Sequence, residues 1–202
     1  MSILKNRMSR LIATTGLMLL IGACGSSPPV HYYSLEPLET DYSRDAEGSL
    51  AIGVGPLRLP DYLGRTRIVT RRGESEVIVD DFNRWAEPVE DAIHRIIATN
   101  LDSLLDDVVV VGFPYNHYAD MDGQVIGRID RLDTDENGRV VLLAQWGILT
   151  PDSEVIVAPR RSRYEAQAAI VGDYSAIAAA MSEVIAEFSR DIAREFEAAG
   201  TK

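Results

Sequence analysis

Thiol chemistry is nearly absent from this chain: Cys24 is the one cysteine in 202 residues. A single sulfur excludes internal disulfides, cysteine metal clusters and a Cys-x-x-Cys redox pair. Histidine is scarce too. His31, His94 and His117 are the only three, and none stands at the H-x-x-x-H spacing that puts two rings on one helix face for a metal. There is no G-x-S-x-G elbow and no P-loop, and Gly53-Val54-Gly55 runs into Pro56 without the third glycine of a dinucleotide loop. Acids are abundant, but no spacing singles out a catalytic pair. Neither an enzyme, such as a periplasmic hydrolase, nor a resident cofactor is supported. Positive charge is also short: 20 Lys and Arg stand against 31 Asp and Glu, a net −11. Nucleic-acid binding relies on clustered cations and is excluded on that ground. An anionic bilayer would not hold the chain by charge alone. Long apolar runs are missing as well. The mainly apolar stretch from Leu11 to Ile21 falls short of the ~20 residues a membrane-spanning helix needs.

What that stretch does have is the layout of a secretory signal. Lys5, Arg7 and Arg10 precede it, and small residues follow. It closes on Leu20-Ile21-Gly22-Ala23-Cys24, which resembles the bacterial lipobox: an aliphatic residue three before the cysteine, then two small residues, then the thiol. The expectation is a signal peptide over 1–23, cleavage before Cys24, and acylation of the Cys24 sulfur and amino group. Two or more acyl chains give a stable membrane hold where one is marginal. Gly25 stands where Asp would mark retention in the inner membrane, so outer-membrane sorting is expected. Cleavage would leave 179 residues, enough for one domain with a sizeable core. Three cations and no acids leave with the signal, so 17 Lys and Arg would face 31 acids, a net −14.

Residues 24–30 form the anchor and a short tether, Gly-Ser-Ser-Pro-Pro-Val after the cysteine, which reaches at most ~25 Å. One domain is expected over 31–202. It opens on the aromatic run His31-Tyr32-Tyr33. Leu50 to Leu59 reads as a strand interrupted by Gly53, Gly55 and Pro56, hence bulged or at an edge. Short strands are expected at 67–70 and 76–79. Pro88 fits a first helical turn, and Val89, Ile93, Ile96, Ile97, Leu101, Leu104 and Leu105 recur at helical spacing. Val108 to Phe113 reads as a buried strand. Gln124 to Leu132 and Arg139 to Leu149 read as a hairpin turned by Asn137-Gly138, with Val140, Leu142, Ala144, Trp146 and Ile148 on one face. Arg161 to Val171 is a further strand. A last helix is capped by Asp173 and striped from Tyr174 to Phe196. The sum is an α+β fold, a largely antiparallel sheet with two long helices on one face.

Two smaller features were weighed on their spacing. Asp133-Thr-Asp-Glu-Asn-Gly138 matches the first half of an EF-hand loop, but the twelfth position, which must supply a bidentate Glu, is Ala144. A hairpin turn accounts for the same residues, so no metal is expected. His94 falls three residues after Asp91 and reads as an exposed neighbour of it on the helix.

The stretch from 52 to 88 concentrates proline, aromatics and arginine in loops, residue types enriched at interfaces. Asp61, Tyr62, Arg65, Arg84 and Trp85 are the candidate partner interface. The competing reading has Trp85 and Tyr62 closing the helix end over the core. Here the chain resembles a known family. Ile52-Gly-Val-Gly-Pro-Leu-Arg-Leu-Pro-Asp-Tyr-Leu-Gly-Arg65, the Ile68-Val69 pair and Asn83-Arg-Trp-Ala-Glu-Pro88 are similar to the ABC-type transport auxiliary lipoproteins of the paraquat-inducible protein C type. The Tyr32-Tyr33-Ser-Leu35 start and the last helix also fit, and Gly64 departs from the family's usual Asp. The resemblance implies an outer-membrane lipoprotein on the periplasmic face. It would act as subunit of an MCE-protein lipid-transport system that bridges two membranes and supports envelope integrity. The implied partner is the MCE-domain tunnel protein, with a neighbouring copy of the chain as a second candidate. No catalysis and no cofactor are implied. The alternative role is a lipoprotein that carries a lipid or small-molecule cargo itself.

Overall fold

The computed structural model describes residues 27–39, 50–115 and 121–200. The signal segment, Cys24 and His117 lie outside the described residues. Among the described residues, eight strands and two helices follow in the order β1 (His31–Tyr33), β2 (Leu50–Arg58), β3 (Arg67–Arg72), β4 (Glu76–Trp85), α1 (Val89–Leu104), β5 (Val108–Gly112), β6 (Gly123–Thr134), β7 (Arg139–Leu149), β8 (Val155–Gln167) and α2 (Tyr174–Gly200).

All eight strands share one sheet, and β6 is its spine. One edge of β6 pairs along its length with β7, which pairs in turn with β8. The other edge is shared: β2 takes residues 123–128, and β3 meets Thr134. β5 lies outside β2, and β4 then β1 lie outside β3. The α+β class is as expected. The sheet is mixed: its two longest ladders, β6–β7 and β7–β8, are antiparallel, while β1–β4, β2–β5, β2–β6 and β3–β6 run parallel. β8 starts six residues before the expected strand and ends four residues earlier; β4 runs six residues past the expected Val79.

The helices pack on each other and on the sheet, α1 over β2 and β5, α2 over β7 and β8. The apolar stripes meet there. Ile93, Ile96, Ile97 and Leu101 of α1 and Ile177, Met181, Val184, Ile185, Phe188 and Ile192 of α2 are buried. So are Val140, Leu142, Ala144, Trp146 and Ile148 of β7, at the expected alternation. Each large aliphatic side chain removed from water contributes ~1.5–3 kcal/mol. The Trp146 and Phe188 rings meet edge-on at 5.7 Å, and the indole N–H is satisfied by Ser162 Oγ at 3.1 Å. Asp173 caps α2 through the Ala176 N–H at 2.9 Å.

The segment after β1 is stitched across both helices. Leu35 is buried, the Glu36 N–H donates to Ser182 Oγ at 3.0 Å, and the Leu38 N–H donates to Asn100 Oδ1 at 2.7 Å. Asn100 in turn donates to Ser189 Oγ, tying α1 to α2 inside the core. The N-terminal run of the described chain is thus held by both helices.

Candidate docking surface

The expected bulge in β2 is present, with the register slipping between Val54 and Leu57. Gly55 has φ of 111°, and a Cβ there would stand 2.8–3.0 Å from Phe113 and the His94 ring. Only glycine fits that backbone and that close approach. The slip turns Leu57 into the core, and the chain then leaves the sheet for the 59–66 loop. The loop closes with the Leu63 N–H on the Pro60 carbonyl at 2.9 Å. Leu63 is buried, while Asp61, Gly64 and Arg65 are exposed.

The loop comes back beside the end of β4. The Trp85 N–H donates to the Thr66 carbonyl at 2.6 Å, and Arg67 pairs with Arg84. Arg84 also pairs with Tyr32 of β1. Residues opposite each other in adjacent strands share a face, so Tyr32, Arg84 and Arg67 form one row across three strands. Tyr32 is 63% exposed. Arg84 donates to the Asp81 carbonyl oxygen, and Arg67 ion-pairs with the Asp81 carboxylate at 3.1 Å. Tyr32 and Arg67 were not among the expected site residues. The place of Tyr32 depends on the parallel β1–β4 pairing, which no local pattern announces.

The same strand end holds a wide bulge: Val69 pairs with Val79 and Arg67 with Arg84, so five steps of β4 span two of β3. Asp80 supports it. Its Oδ1 accepts from the Phe82 N–H, the Asn83 N–H and Asn83 Nδ2, and its Oδ2 accepts from Tyr174 O–H at 2.7 Å. Burial pushes the Asp80 carboxyl up, but these bonds prevail and hold it below its ordinary range. Burial and the Asp80 charge push the Tyr174 phenol up in turn. Tyr33 O–H donates to Asn83 Oδ1, so β1, β4 and the start of α2 share one network.

Of the five interface candidates, Asp61, Arg65 and Arg84 reach the surface. Trp85 is 5% exposed and belongs to the core. Tyr62 is half-buried, and its phenol engages Arg71. Burial, and then the nearby Asp133 charge, raise the Tyr62 phenol, while Arg71 opposes the shift. The structure therefore brings together Arg65, Arg84 and the end of β4, and places Trp85 in the core, as the helix-closing reading has it.

The acids of the EF-hand-like run are taken up by the fold. Asp133 is 0% exposed and accepts from Arg71 Nε at 3.1 Å, Arg71 Nη2 at 2.9 Å and Arg131 Nε at 2.7 Å. Asp135 accepts from the Asn137 and Arg139 N–H groups at 2.9 Å, the local bonds of a hairpin turn. His94 corrects its sequence reading. It is 2% exposed, not a surface neighbour of Asp91. Its Nε2 accepts the Leu57 N–H at 2.8 Å, which leaves the proton on Nδ1, without a partner among the described residues. Burial pushes its pKa down, against the weaker pull of Asp91.

A family model described as the ABC-type transport auxiliary lipoprotein component matches residues 33–193. The chain belongs to this family. Among curated relatives, the auxiliary lipoprotein is similar to the intermembrane transport lipoprotein PqiC of Escherichia coli strain K12. Identity is 23% over 159 residues, covering 76% of this chain and 81% of that one, and the same figures hold for PqiC of Shigella flexneri. Among solved structures it shares its fold with protein XCC0632 from Xanthomonas campestris, at a TM-score of 0.66 and 18% identity, covering 85% and 97% of the two chains. An uncharacterised protein of known structure matches at a TM-score of 0.69 and 21% identity, covering 83% and 99%. The family match contains all five interface candidates, the β4 bulge and most of both helix stripes.

Proposed function

We propose that this auxiliary lipoprotein works without catalysis at the periplasmic face of the outer membrane, where Cys24 anchors it and where it docks the MCE-domain tunnel protein of an intermembrane lipid-transport system. The observation that carries the reading is the family match, which runs through nearly the whole folded body and not through a single motif. The name of the Escherichia coli relative, an intermembrane transport lipoprotein, points the same way. Size supports a docking role. A domain of this length has a radius of gyration of ~16 Å, and its tether adds at most ~25 Å. Such a body does not bridge two membranes by itself, so a long partner must come to it. The docking surface is the β4 end and the 59–66 loop, where Arg65 and Arg84 offer planar forks for carboxylates and Tyr32 offers an exposed ring.

The test is co-purification of the full-length chain from solubilised membranes with the MCE-domain protein of its own transport system. Arg65→Ala with Arg84→Ala should weaken capture tenfold or more. Capture unchanged by both substitutions removes this surface from the interface; absence of the MCE-domain protein from the wild-type capture removes the docking role.

A further inference from the structure

Among the described residues one face of the sheet carries no helix, and four strands line up polar side chains across it at one level. Arg58 of β2 pairs with Arg128 of β6, Arg128 with Gln145 of β7, and Gln145 with Arg161 of β8. Paired residues project to the same side, and their neighbours Leu57 and Trp146 are buried under the helices, so this row points the other way. With strands ~4.8 Å apart, it spans roughly 15 Å.

The row is under-neutralised. Like charges directly opposite one another are unfavourable, and Arg58 and Arg128 stand so. Arg128 has Asp130 at 2.8 Å. Among the described residues, neither Arg58 nor Arg161 has a carboxylate partner, although the chain carries 31 acids to 20 Lys and Arg. A chain with acids in excess leaves these two cations open to an anion from outside.

Directly beside the row lies an apolar trough of about 440 Å³, edged by Arg58 and Arg128 and walled by Pro56, Ile126, Leu149 and Pro159. Gly147 contributes only backbone there. A Cβ on it would stand 3.0 Å from the Val157 carbonyl oxygen, so the trough is kept clear of a side chain at that point. The volume falls within the ~300–1,000 Å³ of small-molecule sites. A free inorganic anion has no use for the trough, and a purely apolar ligand has none for the arginines. Side by side they fit one molecule with an anionic head and an apolar body.

We propose that this face binds a single anionic glycerophospholipid, with its phosphate on the Arg58 and Arg128 forks and part of an acyl chain along Pro56, Ile126 and Leu149. Guanidinium groups match phosphate oxygens in a bidentate manner. The inference rests on the proposed place in intermembrane transport and names the class of molecule that this chain itself would hold.

The experiment is a titration of the full-length, detergent-solubilised chain with lysophosphatidylglycerol, read by native mass spectrometry. One lysophosphatidylglycerol should be retained per chain. Arg58→Gln with Arg128→Gln should weaken retention tenfold or more, and Ile126→Asp should do the same by placing a charge in the trough. Lysophosphatidylcholine and inorganic phosphate should each bind at least tenfold more weakly than the anionic lipid. Equal retention by the wild type and both variants overturns the proposal. So does equal binding of the choline lipid, or phosphate alone binding as tightly, which would make the row a simple anion site. An arginine variant that changes only the oligomeric state would make this face an interface between copies and overturn it too. Melting temperatures of the variants accompany the titration; if one is unfolded, the other decides. Capture of the MCE-domain protein is a separate measurement, so loss of the lipid site leaves the docking role standing.

Discussion

Asp133 offers the sharpest link between a local geometry and a measurable free energy. Its side chain is wholly buried and accepts three charge-assisted hydrogen bonds, two from Arg71 and one from Arg131. The guanidinium side chains are themselves only 15% and 24% exposed. Asp133→Ala would leave two half-buried cations facing each other with nothing between them. Removing one partner of a buried ion pair costs ~3–5 kcal/mol. Water can reach the arginines from their exposed edges, so the lower end, about 3 kcal/mol, is expected. At ~2–4 °C per kcal/mol for a domain of this size, the melting temperature should fall by roughly 6–12 °C. Urea denaturation followed by tryptophan fluorescence reads this directly, because Trp85 and Trp146 are both buried. Asp133→Asn keeps an acceptor but not the charge and should fall between. A loss below about 1 kcal/mol, the magnitude of a surface pair, would refute the reasoning. Added calcium should leave the wild-type melting temperature where it is; a rise of several degrees that Asp133→Ala abolishes would restore the EF-hand reading.

Other outcomes follow from the same structure. His94 has its pKa pushed below the ordinary 6.5 by burial, so its neutral form is the one the fold selects. The unfolded chain binds more protons in the window below 6.5, so this contribution is fully present above that pH and is lost as pH falls towards the folded value. Comparing wild type with His94→Gln across pH 4.5 to 7.5 should show a steeper acid loss in the wild type; parallel curves would contradict it. Trp85→Ala should cost ~3–5 kcal/mol of stability, the range for a buried aromatic, whereas Arg65→Ala and Arg84→Ala should barely move the melting temperature. The reverse ranking in a thermal melt would put Trp85 back on the surface. Mass spectrometry of the membrane-extracted protein should show an acylated Cys24 at the new N-terminus; an intact 1–23 segment or a free thiol would refute lipidation.

The legible parts of this fold are those in which neighbours in sequence decide. The two helix stripes, the Asn137-Gly138 hairpin, the Asp173 cap and the β2 bulge at Gly55-Pro56 all follow from periodicity or backbone chemistry within a few residues. The parallel pairings of β1 with β4 and of β2 with β5 and β6 join segments far apart in sequence and leave no local mark. β4 runs on through Asp80-Asp81, where the Asp80 carboxylate holds the bulge by bonds that form only in the folded strand. β8 begins before the expected strand and runs through Pro159, which is tolerated because β8 pairs only with β7 among the described strands and a missing N–H there costs little. His94 reads as a surface residue from its place three residues after Asp91 on the helix. Its burial is set by the Leu57 N–H and the open space at Gly55, both brought there by tertiary packing. The same limit applies to the docking surface. The loop arginines are visible in sequence as a cluster, but the row of Tyr32, Arg84 and Arg67 exists only once three strands are in register.

The proposed role has a lipid-anchored chain receiving an MCE-domain tunnel protein at the β4 end. The most direct measurement places a photo-crosslinking amino acid at Arg65 or Tyr32 in the full-length chain and irradiates intact cells. An adduct with the MCE-domain protein is expected at these two positions, in outer-membrane fractions, and none from Glu183 on the helix side. Adducts from Glu183 with none from Arg65 or Tyr32, or a chain found only in the inner membrane, would contradict it.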